Sequence, residues 1–269
     1  MSENKLAILL PHYNNSKGLA LTLNSLLNEE AKFTVFIFDD GSDDFEAIEA
    51  LVKRFGEDLD IHLERNERNL GITSTLNNGV THILKLKKFQ FIARLDAGDK
   101  CMNNRLAIQH DFLSKNEDVG LVSSWVQFVD EQRNPLFVFK PPKDHKKLKN
   151  VLHLYNPFIH PAIMLRASVF DKVGRYPEDY KTLQDHAFFF KVIKVFRTAV
   201  IQEILLEYEV SKSAISSLRR KSQAGNRIKL LCKEFKFGYY PIIGLIRSLI
   251  TYLTPQSVLI ALKKNIFYR

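Results

Sequence analysis

The run Phe91-Ile-Ala-Arg-Leu-Asp-Ala-Gly-Asp99 constrains this chain more than any other stretch. A short apolar segment leads straight into two carboxylates, Asp96 and Asp99. Such a segment reads as a strand buried on both faces, as in a parallel sheet covered by helices. Its end delivers the acids to the carboxyl edge of the sheet, where open α/β sheets bind ligands. Two acids on a tight, glycine-bearing turn can converge on one hard cation through oxygen. The same residue types also build an ordinary solvated turn.

A second acidic strand end lies upstream. Phe33-Thr-Val-Phe-Ile-Phe38 is β-branched and aromatic and ends in Asp39-Asp-Gly-Ser-Asp-Asp44. Before it, Leu6-Ala-Ile-Leu-Leu10 is a buried strand stopped by Pro11, and Asn15 or Ser16 can cap the helix carrying Leu19, Leu23, Leu26 and Leu27. A helix over 45–55, a short strand over 61–63 and a helix over 72–85 return the chain to Phe91. This alternation predicts a doubly wound, mostly parallel α/β sheet, with right-handed crossovers bringing Asp40 and Asp96 to one edge.

Beyond Asp99 the pattern predicts a helix over 103–115, paired strands over 120–128 and 136–139, an exposed basic loop over 140–149 and a strand over 161–165. A helix opening at Asp185 and a strand over 199–210 close the compact part. The expected division is a domain over 1–215, with a nucleotide-binding half (1–99) and an acceptor-binding half (100–215). A basic amphipathic extension over 216–269 follows, with helices expected over 227–236 and 239–253 and an apolar stretch over 257–264.

With 39 Lys+Arg against 30 Asp+Glu the net charge is +9, which favours an acidic partner: nucleic acid, an anionic membrane surface or a phosphate-bearing substrate. The basic residues are dispersed and no recognition motif appears, so nucleic acid is not expected. Two cysteines, Cys101 and Cys232, make neither a disulfide framework nor a zinc site. No signal peptide or membrane-length apolar run is seen. The reading is a cytoplasmic protein lying peripherally on the inner face of the cytoplasmic membrane.

Taken together, Leu10-Pro-His-Tyr-Asn14, Asp39-Asp-Gly-Ser-Asp43, Asn69-Leu-Gly71 with Asn77, Arg94-Leu-Asp-Ala-Gly-Asp99, Asn156-Pro-Phe-Ile-His-Pro161, Gly174-Arg-Tyr176 and Gln184-Asp185 occur in that order over roughly residues 4–215. The series resembles the family-2 glycosyltransferases, nucleotide-sugar enzymes with the A-type glycosyltransferase (GT-A) fold. The resemblance implies an inverting transfer of a hexose-type sugar from a UDP-sugar to a glycan or lipid-linked acceptor, in bacterial surface polysaccharide or lipopolysaccharide assembly.

By that resemblance Pro11 and Tyr13 line the uracil site, and Asp40 accepts the uracil imino proton. An aromatic ring at position 13 can also stack on a flat base in its own right. Arg65 and Asn69 fall on the loop that would meet the phosphates. Asp99, assisted by Asp96, is expected to hold Mn²⁺ or Mg²⁺ against the leaving diphosphate. Gly98 stands where the family usually has a further Asp. Asp185 is the expected base, with Gln184 replacing a usual Glu beside it, and His160 falls near the acceptor and pyrophosphate. Two other readings stay open: a non-catalytic nucleotide-sugar or membrane-binding module, and a sugar nucleotidyltransferase. The second lacks the glycine-rich phosphate loop expected after its first strand.

Overall fold

The computed structural model describes residues 5–180, 182–210 and 220–254. Strand β1 (Leu6–His12) is buried along its whole length and lies between β2 (Thr34–Asp39) and β4 (Phe91–Arg94), parallel to both. Pro11 is tolerated in this central strand because β4 pairs only as far as Leu9, so on that side no ladder bond is lost. Strand β3 (Ile61–Arg65) adds in parallel to β2.

Helix α1 (Ser16–Leu26) is capped by the Asn15 side chain, and its buried Leu19, Leu23 and Leu26 cover one face of the sheet. Helices α2 (Phe45–Phe55) and α3 (Ile72–Lys85) complete the two crossovers. Both faces of β1 are therefore dry, with Ala7 and Leu9 packed on one side and Leu6, Ile8 and Leu10 on the other.

The second half continues the same sheet. After β5 (Lys100–Cys101) come α4 (Arg105–Lys115), β6 (Val119–Val129) and β7 (Pro135–Phe139). These are followed by α5 (His145–Val151), β8 (Met164–Arg166), α6 (Ser168–Val173), α7 (Gln184–Val195) and β9 (Arg197–Glu209). The strand order is β3-β2-β1-β4-β8-β6-β9-β5, with β7 on β6. The sheet is mixed: β8 runs antiparallel to both β4 and β6, and β6 and β9 are parallel.

Three expectations change. The basic segment 140–149 is not all loop, because α5 forms within it and is pinned by the fully buried Leu148. The expected strand over 161–165 becomes a 3₁₀ turn, His160–Ala162, followed by β8. A helix expected over 227–236 is α8 (Arg220–Lys233), which buries Leu230 and Leu231 in the core. Helix α9 (Tyr239–Leu253) packs on α8 and α5, and the apolar stretch 257–264 lies outside the described residues.

Candidate active site

Three acidic stations line one rim of the sheet. The first is the end of β2. Asp39 is fully buried; its carboxylate accepts from His12 Nδ1 at 2.9 Å, from the Ser42 backbone N–H at 2.9 Å and from the Ser42 hydroxyl. His12 Nε2 accepts from the Asn15 N–H, so the proton sits on Nδ1 and points at Asp39. Asp40 faces the other way. Its Oδ1 accepts from Asn66 Nδ2 and the Leu70 N–H, and its Oδ2 from the Gly71 N–H, each at 2.9 Å. Asp40 thus gathers the 66–71 loop, and Oδ2 keeps capacity for one further donor.

Among the residues expected at the nucleotide, Tyr13 is 48% exposed just past β1, whereas Pro11 is buried within that strand. Arg65 is exposed at the end of β3 and also braces the neighbouring turn. Its guanidinium lies 4.2 Å over the Phe45 ring and donates to the Ser42 carbonyl at 3.0 Å, bracing the 39–42 turn. Asn69 is exposed on the adjoining loop.

The second station is the turn after β4. The Thr22 hydroxyl of α1 sits inside it, 2.7 Å from the Asp99 carbonyl, and accepts from the Gly98 N–H at 3.0 Å. Asn15 Nδ2 donates to the Ala97 carbonyl at 2.9 Å. The two acids then diverge. The Asp96 side chain is 37% exposed and its Oδ1 is held by Arg94, a buried cation that needs such a partner. Asp99, expected as the main metal ligand, is sealed beneath. Its Oδ1 accepts from the Glu209 N–H at 3.2 Å, and its Oδ2 is buried with no partner among the described residues. Burial and the neighbouring Asp96 hold the Asp99 carboxyl well above the usual carboxylate range.

Asp185 is the third station, in the first turn of α7. Its Oδ2 accepts from Asn156 Nδ2 at 2.9 Å, and burial pushes its pKa up. Gln184 beside it has a buried Oε1 without a partner among the described residues. The His160 ring faces the Tyr176 hydroxyl at 2.9 Å, and burial followed by the Arg94 charge keeps it neutral. Tyr176 is clamped by Asn77, which exchanges two backbone bonds with it at 2.9 Å. The second and third stations both act on Tyr208 of β9, whose hydroxyl is pushed up by burial and then by the charges of Asp99, Asp96 and Asp185.

The sequence pattern did not single out Thr22, Asn66, Arg133 or Tyr208, although each bonds or faces an acid station. Only Tyr208, an aromatic near a strand end, carried any local signal.

A mixed sheet with acids gathered at its edge and helices on both faces is the GT-A arrangement of glycosyltransferases. A mannosyltransferase of Pyrobaculum calidifontis, solved with GDP-Man and Mn²⁺, superposes with a TM-score of 0.65 at 17% identity, covering 94% of this chain and 71% of its own. Staphylococcus aureus TarS residues 1–349, solved with UDP-GlcNAc, give a TM-score of 0.68 at 17% identity, covering 92% of this chain and 72% of that one. The family description "Glycosyl transferase family 2" matches residues 7–174, and the chain belongs to that family. It is a glycosyltransferase. An Escherichia coli relative, UDP-Gal:alpha-D-GlcNAc-diphosphoundecaprenol beta-1,3-galactosyltransferase, is 25% identical over 261 residues, 94% of this chain and 93% of its own.

Proposed function

We propose that this glycosyltransferase moves a hexose-type sugar, with inversion, from a UDP-sugar to a glycan or lipid-linked saccharide in bacterial surface polysaccharide or lipopolysaccharide assembly. The observation that carries the reading is that the parallel neighbours β1 and β4 end side by side, one followed by exposed Tyr13 and the other by solvent-facing Asp96. The lipid-linked GlcNAc acceptor named for the Escherichia coli relative, and the UDP-GlcNAc held by TarS, support it.

In this reading Tyr13 stacks on uracil and the free capacity of Asp40 Oδ2 takes the imino proton. Asp185 accepts the proton of the acceptor hydroxyl as that oxygen attacks the anomeric carbon. The bond from that carbon to the diphosphate breaks, UDP leaves, and a single displacement inverts the centre. His160, neutral and fixed on Tyr176, lies on the acceptor side.

Among the described residues no three or more His, Cys, Asp or Glu side chains gather for a metal. A cation arriving with a diphosphate needs only one or two carboxylates. Solvent-facing Asp96 offers a hard oxygen donor that suits Mn²⁺ or Mg²⁺, and Asp99, buried with an unpartnered Oδ2, would join it only by turning out from beneath and giving up its proton. When bound there, the cation would neutralise charge on the departing diphosphate.

Calorimetric titration of UDP with and without Mn²⁺, on wild type and Asp96→Ala, tests the donor site. The expected result is metal-enhanced UDP binding that Asp96→Ala weakens at least tenfold. Absence of UDP binding by the folded protein in both conditions overturns the reading.

A membrane-facing position rests on α9. Its small residues, Pro241, Gly244 and Ser248, face the body, with Gly244 against the His153 carbonyl where a Cβ would collide. The large ones, Tyr239, Ile242, Ile246, Leu249, Ile250 and Leu253, are turned outward. No helix among the described residues is long and apolar enough to cross a membrane. An outward apolar face that also carries exposed Arg247 suits an anionic bilayer interface. Co-sedimentation with anionic vesicles that Ile246→Glu abolishes is the expected result; equal sedimentation of the two proteins overturns it.

A further inference from the structure

The orientation of Asp185 is set by a side chain from a different segment. Asn156 Nδ2 donates to Asp185 Oδ2 at 2.9 Å, and Asn156 Oδ1 accepts from the Phe158 N–H at 3.2 Å. The amide is therefore locked, since turning it over would point its NH₂ at the Phe158 N–H. Pro157 restricts Asn156 to extended backbone. Fully buried Phe158, edge-on to Phe189 at 5.1 Å, pins the far side of the bend. From behind, His186 Nε2 donates to the Leu152 carbonyl at 2.8 Å and ties the start of α7 to the same segment.

Several charged or titratable groups face Asp185. Arg94 approaches from β4 and favours the ionised acid, and the hydroxyls of Tyr176 and Tyr208 both feel its charge. Burial is the largest influence and raises the pKa; the backbone N–H groups of His186 and Asp185 itself, Arg94 and then Asn156 oppose it.

We propose that Asn156 is the positioning residue of the base: by occupying Oδ2 it fixes the Asp185 carboxyl plane and leaves Oδ1 as the atom that receives the acceptor's proton. This rests on Asp185 being the base. A base held in one orientation by a third group is the general device of activated-nucleophile sites. A side chain that donates to the ionised acid also makes it a weaker proton acceptor. Without Asn156 the carboxyl would turn and hold its proton more tightly.

The test uses the full chain labelled with ¹³Cγ-aspartate, Asp185→Asn assigning the resonance, and the titration midpoint read by NMR. Asn156→Ala is expected to raise the midpoint by about one pH unit, and Asn156→Asp to raise it further, because adjacent carboxyls share a proton. Asn156→Ser, whose hydroxyl can donate, returns part of the shift. UDP release from UDP-glucose, UDP-galactose or UDP-GlcNAc, with a synthetic GlcNAc-diphospho-lipid as acceptor, gives the second readout. Its acidic limb is expected to follow the same order with donor KM unchanged. An unmoved midpoint in folded Asn156→Ala, or a loss of kcat equal at every pH, overturns the inference. If Asn156→Ala does not fold, the near-isosteric Asn156→Asp decides by the same criterion. Full turnover by Asp185→Asn overturns the base assignment itself, whereas lost turnover there with unmoved midpoints in the Asn156 variants overturns only the role of Asn156.

Discussion

Arg133 Nη2 donates to the carbonyl oxygen of Gly98 at 2.6 Å, joining the β6–β7 hairpin to the acidic turn. The same guanidinium meets Glu207 at 3.1 Å and Glu209 at 3.0 Å, and the Glu209 N–H is the one bonded to Asp99. One cation thus holds the backbone of the turn and the strand that covers its buried acid. Arg133→Met keeps the apolar stem but takes the cation from Glu209 and leaves Glu207 with Lys100, 3.6 Å away. We expect a loss of roughly 1–3 kcal/mol in urea unfolding and a fall in UDP affinity. Unchanged values of both would show that the hairpin contact is incidental.

Asp40 gathers the 66–71 loop, and in the proposed function the same carboxylate also takes the uracil imino proton, so its loss should affect stability and UDP binding together. Three donors from the 66–71 loop end on its carboxylate. Asp40→Ala strands those donors and should cost about 3 kcal/mol together with UDP binding. Asp40→Asn keeps the shape but points an NH₂ at a backbone N–H, so it should cost a similar amount. A variant that lost UDP binding at full stability would assign the residue to the ligand alone.

The strand ends were legible because parallel strands buried on both faces read as unbroken apolar runs, and acids at their ends stand out. What holds those acids was not. Thr22 meets Gly98 across 76 positions of chain, Arg133 meets Gly98 across 35, and Asn156 meets Asp185 across 29. No local periodicity encodes such pairs. Helix α5 was hidden for a different reason. It is short and basic, and Leu148 is its one buried side chain, so it offers no repeat to detect. The divergence of Asp96 and Asp99 is likewise tertiary, set by Arg94 below one and the β9 backbone above the other.

Acid should destabilise this fold through His186. Burial, followed by the Arg227 charge, pushes its pKa down to about 3, so the folded state keeps it neutral while the unfolded chain protonates near 6.5. Between those values the unfolded state binds the extra proton. Stability is then fully present above pH 6.5 and falls as pH drops towards 3, by up to about 1.4 kcal/mol per unit. His186→Gln can still donate to the Leu152 carbonyl, and its stability should fall less steeply over that window. Thermal unfolding from pH 7 to 4 measures this, and parallel curves for the two proteins would exclude His186 as a cause.

The family resemblance leads one to expect an acid at position 98, and the backbone of Gly98 explains why placing one there is costly. Its φ is +113°, a region L-residues rarely adopt, although a Cβ there would meet only Asn15 Nδ2, at 3.6 Å. Space is therefore available and the strain is in the backbone. Gly98→Ala and Gly98→Asp should each lose roughly 1–3 kcal/mol, by nearly the same amount, because the cost lies in φ and not in the side chain. Their Mn²⁺ responses should differ. A carboxylate at position 98 would join Asp96 on the outer face of the turn and strengthen Mn²⁺-dependent UDP binding, whereas Gly98→Ala would only weaken it. Calorimetry on both variants decides the matter. Equal metal dependence in the two would mean that the turn, held by Thr22 and Arg133, does not aim position 98 at the donor, and that Asp96 acts without a partner there.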